Sequence, residues 1–236
     1  MQNLTLLALD TSTEACSVAL LYRGEKTHIN ELAQRTHTKR ILPMIDEILV
    51  NSGLGLNQVD ALAFGRGPGS FTGVRVGAGI AQGLAFGADL PVIPISNLTA
   101  MAQAAFELHQ AENVVAAIDA RMNEVYFSQV VREKVRSDFG EFFQWREIIS
   151  EQVCSPELAI NQLQNDNAFR VGTGWAAYSQ FTEKNLTGSD IALPNALYML
   201  ELAQVEYLQK HTISALEIEP IYLRNEVTWK KLPGRE

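Results

Sequence analysis

The stretch LALDTSTEACSVA, residues 7–19, decides the fold because it returns without a gap as AAIDARMNEVYFS at residues 116–128. Each copy is an apolar strand ending in an acid, Asp10 or Asp119, followed by a polar turn and a second strand. Self-similarity of this kind indicates an internal duplication. We therefore predict two lobes, residues 1–111 and residues 112–236, joined without a low-complexity linker.

The apolar periodicity of the first half predicts the order βββαβαβα. The elements are strands at 4–10, 16–22 and 26–32, a helix at 38–51, a strand at 59–64, a helix at 72–86, a strand at 91–95 and a helix at 97–109. This order is typical of a mixed α/β sheet that helices cover on both faces.

The second half is predicted to be a reduced version of the first. After its strand–turn–strand unit we expect irregular chain over 137–152, a helix at 156–163, a short strand and turn at 170–174, and a helix at 194–209. The last helix is a candidate to pack back on the first lobe.

A glycine-rich run, GRGPGSFTGVR at residues 65–75, falls between a predicted strand and a predicted helix. Ser70 or Thr72 could cap that helix, whose N-terminal amides would attract an anion. The run matches neither a Walker loop nor the dinucleotide fingerprint. It is therefore either an anion site, with Gly67 and Gly69 approaching the ligand, or a tight structural turn.

Composition limits the kinds of partner. The formal charge of −8 disfavours a broad basic surface that would hold nucleic acid unaided. With only Cys16 and Cys154, and no signal-peptide pattern or apolar stretch long enough to span a bilayer, we expect a reducing cytoplasmic setting and no membrane role.

The duplicated plan, with an Asp ending each first strand, resembles the actin, sugar kinase and Hsp70 superfamily, which has a ribonuclease H-like fold. Within it, the motifs around Asp10, the glycine-rich run and Asp119 resemble the TsaB family. These proteins are accessory subunits of bacterial tRNA threonylcarbamoyladenosine synthesis, formerly grouped with glycoproteases. The resemblance is strong from residue 1 to about residue 126 and weaker to residue 224.

The resemblance implies partners rather than catalysis. It implies a heterodimer with the catalytic paralogue TsaD, further work with the ATPase TsaE and the precursor-making enzyme TsaC, contact with tRNA mainly through that complex, and a homodimer in isolation. In TsaD the corresponding third helix carries two metal-binding histidines, where this chain has Asn97 and Met101. We therefore expect no bound metal and no catalytic residue in this chain.

Asp10 and Asp119 each have two interpretations. Either acid could hold a hydrated Mg²⁺ beside a nucleotide phosphate, with Thr11 and Ser12 of the first turn as further phosphate candidates. Alternatively, each acid accepts hydrogen bonds from the turn that follows it. Any ADP or ATP is expected at the interface with partner subunits.

Two helices supply the predicted docking face, residues 40–49 and 74–84. Met44, with Leu42 or Leu49, is expected on an exposed flank, and Arg75 either clamps a phosphate or partner carboxylate or is solvated. Two rows of small residues on the second helix, one from Gly73 to Ala85 and one from Gly79 to Gly87, indicate close approach of another helix, from this lobe or from a partner. The predicted contacts are Arg40, Ile41, Met44, Ile45, Val74, Arg75, Gly77, Ile80, Ala81 and Leu84.

Other functions of the superfamily remain alternatives at this point. The chain could be a free-standing ATPase or a small-molecule kinase, although a second lobe of about 125 residues is short for enclosing both nucleotide and sugar. A metallopeptidase is disfavoured because the sequence has no His-Glu-x-x-His pattern.

Overall fold

The computed structural model describes residues 4–33, 36–137, 140–163 and 167–224. The first lobe contains strands β1 (Leu6–Asp10), β2 (Ala15–Tyr22), β3 (Glu25–Leu32), β4 (Ala61–Gly67) and β5 (Val92–Ser96), and helices α1 (His37–Asn51), α2 (Phe71–Ala88) and α3 (Asn97–His109). The strand order is β3-β2-β1-β4-β5, in which β2 is antiparallel to its neighbours and β4 is parallel to β1 and β5. The predicted elements of this lobe are confirmed.

The second lobe repeats this plan in shorter form. It contains strands β6 (Asn113–Arg121), β7 (Glu124–Ser137), β8 (Gly140–Cys154) and β9 (Phe169–Val171), and short helices α4 (Pro156–Gln162), α5 (Gly174–Ala177) and α6 (Ser179–Glu183). The strand order β8-β7-β6-β9 matches that of the first sheet without its last strand. The chain then forms helix α7 (Ala196–Leu208).

The alternation of side chains along β1 sorts the helices into layers. Leu7 and Leu9 face α1 and α2, whereas Leu6 and Ala8 pack on the opposite side against Met199 and other residues of α7. Helix α3 lies between the two sheets, and α4, α5 and α6 cover the far face of the second sheet. The result is five layers, helix, sheet, helix, sheet and helix.

The prediction of irregular chain over residues 137–152 is wrong. Strand β8 pairs with β7 from Val125 opposite Cys154 to Ser137 opposite Gly140. Register shifts near Gln129 interrupt the simple alternation of apolar and polar residues, and most of the outer half of the hairpin is polar. The feature of the sequence that could have indicated this strand is its content of aromatic and β-branched residues, which are enriched in strands.

Partly buried polar contacts join the two lobes. Arg66 of β4 forms an ion pair with Glu151 of β8, with 3.1 Å between Nη1 and Oε2, and Ser96 also donates to Glu151. Trp145 of β8 donates from Nε1 to Gln103 of α3 at 2.9 Å. In the part of the chain that the structure describes, no helix has the length and apolar character needed to cross a bilayer.

Candidate functional site

A fully buried hydrogen-bond network holds the end of β1. Asn97, the first residue of α3, donates from Nδ2 to Asp10 Oδ1 at 2.7 Å and to Ser12 Oγ at 2.5 Å. Its Oδ1 accepts from the backbone N–H of Gly67 at 2.8 Å. Ser12 donates from Oγ and from its backbone N–H to the second carboxylate oxygen of Asp10. Both oxygens of Asp10 therefore accept hydrogen bonds from within the chain.

The glycine-rich run packs directly on the turn between β1 and β2. The backbone N–H of Ser70 donates to the carbonyl of Ser12 at 2.7 Å, and Thr11 Oγ1 donates to the carbonyl of Gly73 at 2.7 Å. A Cβ at Gly69 would lie 2.5 Å from the Ser12 carbonyl oxygen, and one at Gly73 would lie 2.2 Å from that of Thr11. Only glycine permits this approach. These contacts support the interpretation of the run as a tight structural turn.

The environment of Asp10 favours its neutral form. Burial raises the pKa of Asp10 to about 6, and the hydrogen bonds from Asn97 and Ser12 partly oppose that rise. A hydrated Mg²⁺ at Asp10 would have to displace these hydrogen bonds. Within the described ranges, no group of three His, Cys, Asp or Glu side chains is arranged to hold a metal ion.

Asp119 is the counterpart of Asp10 in the second lobe, and its carboxylate oxygens also have their partners within the chain. Its Oδ1 accepts from Tyr178 Oη at 2.7 Å and from the backbone N–H of Arg121 at 2.8 Å, and its Oδ2 lies 2.9 Å from the Arg121 guanidinium. Burial and the hydrogen bond to Asp119 raise the pKa of Tyr178 to about 12. The geometry is that of an acid accepting hydrogen bonds from its own turn, as the second interpretation expected.

A cleft of about 750 Å³ lies between the lobes. It is large enough for a small ligand such as a nucleotide. Among the predicted phosphate candidates, it brings together Ser12, Gly69, Ser70 and Asp119. Four others do not line it, namely Asp10, Thr11, Gly67 and Thr72. Binding of an anion or a nucleotide here stays a prediction.

Arg75 does not line this cleft, and its guanidinium stacks between two aromatic rings, one of which, Phe71, does line it. Its guanidinium carbon is 3.2 Å from the centre of the Phe71 ring and 4.7 Å from that of Tyr222, and Nη1 donates to the Phe71 carbonyl. Arg75 is thus exposed but held by its neighbours. The stack joins the start of α2 to the C-terminal end of the described chain.

The predicted docking residues are mostly turned into the protein. The prediction that Met44 lies on an exposed flank is wrong, because its side chain is fully buried in the core between α1 and the first sheet. Arg40 is held by a two-point ion pair with Glu31 of β3, and Ile80 and Leu84 are half-buried. The predicted contacts that burial removes from the surface are Ile41, Met44, Ile45, Val74, Gly77 and Ala81.

The two small-residue rows of α2 have opposite environments. A Cβ at Gly77, in the first row, would lie 2.9 Å from Thr11 Oγ1, so this row faces the first sheet. Gly79, Gly83 and Gly87 form the second row, are exposed, and would meet no atom within 4 Å if given a Cβ. We call this second row the open glycine row.

Exposed apolar side chains accompany the open glycine row. Phe86, one helical turn after Gly83, is 72% exposed, and Phe71 at the start of α2 is 71% exposed. On the neighbouring α1, Leu42 and Val50 are 45% and 66% exposed. Leu42 was one of the residues predicted on the exposed flank of α1, whereas Leu49, its alternative, is buried. The other three were not predicted, since a periodic pattern does not tell which flank of a helix its neighbours leave open.

Two α/β lobes built on the same strand–turn–strand unit, with a cleft between the turns, define a protein of the actin, sugar kinase and Hsp70 class. The chain belongs to the TsaB family, as its sequence motifs predicted. It is 99% identical, over the whole of both chains, to the tRNA threonylcarbamoyladenosine biosynthesis protein TsaB of Haemophilus influenzae. It is 46% identical to the TsaB protein of Escherichia coli K12, over 98% of this chain and 99% of that relative.

Two further comparisons agree with this assignment. The family model described as TsaD, tRNA N6-adenosine threonylcarbamoyltransferase, matches residues 28–231. A crystal structure from Pseudomonas aeruginosa, described as an uncharacterized protein with similarity to peptidase YEAZ, has a TM-score of 0.82 and 41% sequence identity, covering 94% of this chain and all of that one.

Proposed function

We propose that this chain supports tRNA threonylcarbamoyladenosine synthesis without catalysing it, by docking on the transferase TsaD through α2. Its place in the TsaB family makes it an accessory protein of this modification, and not the small-molecule kinase that the superfamily also allowed. The open glycine row is the observation that carries the docking proposal.

The exposed glycines of α2 make the isolated helix less stable than alanines would at the same positions. Glycine in a helix interior is less favourable than alanine by roughly 1 kcal/mol. For Gly73 and Gly77 the contacts with the β1–β2 turn explain the choice, but Gly79 and Gly83 have no such neighbour. Close approach of a helix from another chain would explain them, and the exposed Phe86 beside them would gain a buried environment there.

TsaD is the partner that best fits this surface. The TsaD family model matches residues 28–231, a range that includes α1 and α2, so TsaD would present homologous helices in a pseudo-symmetric pair. The same surface would pair two copies of this chain when TsaD is absent. TsaE and TsaC would act with the complex, tRNA would be reached mainly through it, and ADP or ATP would bind where the cleft meets the partner.

Two residues of α3 support the non-catalytic role. The metal-binding histidines that the resemblance assigns to TsaD correspond to Asn97 and Met101. The amide of Asn97 makes three hydrogen bonds within the chain, and Met101 is fully buried between α3 and the second sheet. Amide and thioether side chains are poor ligands for the metals that imidazole prefers.

The docking proposal is tested with Gly83→Leu and Phe86→Glu. Both positions face open space, so the isolated chain should remain folded. We expect each variant to bind TsaD at least thirtyfold more weakly and to lower the yield of modified tRNA in a reconstituted reaction. The matched control is Leu158→Glu, at a position on α4 that is 46% exposed and lies in the other lobe. Unchanged TsaD binding by both α2 variants would contradict the proposal.

A further inference from the structure

Asn97 joins three segments that are far apart in sequence. Through its single side chain, the start of α3 is bonded to the end of β1, to the β1–β2 turn and to the glycine-rich run. The run and the turn are also bonded to each other through Ser70 and Thr11. The bonds of Ser70 and Gly73 lie at the N-terminal end of α2 and the bond of Gly67 lies just before it, while the bonds of Asn97 to Asp10 and Ser12 hold the turn on which that end rests.

The body of α2 packs on the first sheet with mostly small side chains. Its fully buried residues are Gly73, Val74, Gly77, Ala78, Ala81 and Ala85, while Ile80 and Leu84 pack half-buried on the same core and Gln82 donates to the Ala215 carbonyl at 3.0 Å. Packing sets the angle of a helix through the ridges that its side chains form, and small side chains form low ridges. The hydrogen bonds at the N-terminal end therefore add a directional restraint on the helix axis to these packing contacts.

A small change at that end produces a large displacement at the open glycine row. From Ser70 to Phe86 the helix rises about 24 Å, at about 1.5 Å per residue. A tilt of about 5° at the N-terminal end would move Phe86 by about 2 Å. A displacement of about 2 Å would break a close contact between two helices, because the heavy atoms of such a contact lie within about 4 Å of each other.

We propose that Asn97 is a positioning residue for partner docking, and that the network of Asp10, Ser12 and Asn97 sets the direction of α2. The proposal rests on the proposed function, because it concerns the same docking surface. It gives the buried amide at position 97 a role in binding TsaD. In this chain a hydrogen-bonding amide at that position holds the turn and the glycine-rich run together.

Exchanging the side chains of Asp10 and Asn97 distinguishes an effect on the direction of α2 from a loss of folding stability. Asn97→Asp removes the Nδ2 donor and faces Asp10 with a second carboxylate, and Asp10→Asn places two amide groups together. The double variant Asp10→Asn/Asn97→Asp again pairs one donor with one acceptor, and the carboxylate introduced at position 97 can still accept from Gly67. We expect each single variant to bind TsaD at least tenfold more weakly at a temperature where it is fully folded. We expect the double variant to recover to within about threefold of the native chain.

Hydrogen exchange measured on the folded proteins provides the second readout. The single variants should exchange backbone amides of residues 65–80 faster than the native chain, with amides of the second sheet unchanged, and the double variant should restore the native pattern. If Asn97→Asp does not fold, Ser12→Ala replaces it, because this change removes one acceptor of Asn97 Nδ2 and should weaken TsaD binding severalfold. Unchanged TsaD affinity of the folded variants, or a double variant no better than the single ones, would overturn the proposal.

The same series distinguishes this inference from the proposed function. If Phe86→Glu abolishes TsaD binding while the Asn97 variants do not weaken it, only the positioning role is wrong. If Gly83→Leu and Phe86→Glu leave TsaD binding unchanged, the docking surface itself is wrong, and the positioning proposal is overturned with it.

Discussion

Replacing Gly79 and Gly83 with alanine should make the isolated chain more stable and its complex with TsaD weaker. Each substitution raises helix propensity by roughly 1 kcal/mol, and neither new Cβ has an atom within 4 Å. The double variant should therefore gain about 2 kcal/mol, which corresponds to about 4–8 °C in Tm for a chain of this size. Thermal unfolding followed by circular dichroism measures this gain.

In the complex the same two methyl groups would lie between the helices. Overpacking of a close contact costs about 1–3 kcal/mol, so TsaD affinity should fall about tenfold or more, as measured by calorimetry. Gly73→Ala is the matched control on the same helix. Its Cβ would lie 2.2 Å from the Thr11 carbonyl oxygen, so this variant should lower Tm. A double variant with raised Tm and native TsaD affinity would refute the docking role of the open glycine row.

Three further predictions concern the buried groups and the cleft. Because burial raises the pKa of Asp10 from 3.8 to about 6, its stabilising contribution is present in full below about pH 4 and falls by about 3 kcal/mol as the pH rises through 6. An NMR titration of the Asp10 carboxyl carbon with a midpoint near 4 would contradict this. Glu151→Gln should lower the free energy of unfolding by about 2 kcal/mol, since it breaks the largely buried ion pair with Arg66, whereas Glu141→Gln on the exposed hairpin should leave it almost unchanged because solvent screens its ion pairs. Equal effects in denaturant titrations would show that the lobe junction is not stabilised by this pair. Calorimetry with ADP should give binding heat with the TsaD complex and none with the isolated chain, and ADP binding of equal strength by the isolated chain would contradict an interface site.

The first lobe was predictable because each of its elements has a clear apolar period and a marked boundary. Helix α3 has the predicted bounds, residues 97–109, since Ser96 caps it and the chain leaves the helix at Gln110. Strand β8 was missed because its pairing with β7 contains register shifts that sequence alternation does not reveal. The family followed from motifs, and the comparisons confirm it.

The candidate site was predictable in part. The spacing of glycines gave both small-residue rows of α2, but only the packing shows that Gly77 faces the sheet and Gly83 faces solvent. Met44 was misplaced because helical periodicity does not say how many sides of α1 its neighbours cover. The bonds of Asn97 link positions 30 and 87 residues apart, to Gly67 and Asp10, and no local pattern encodes such a distance.

The return of α7 to the first sheet prevents the two halves of the duplication from being separated. The underside of that sheet, with Leu6, Ala8 and Ile93, is covered by Met199 and Leu200, and Ser17 accepts a hydrogen bond from the backbone of Ala196. During synthesis, the apolar underside of the first sheet therefore stays exposed to water until residues 196–208 have been made. A gene truncated after the first half would encode an aggregation-prone fragment with an exposed apolar sheet face, and not a smaller functional protein.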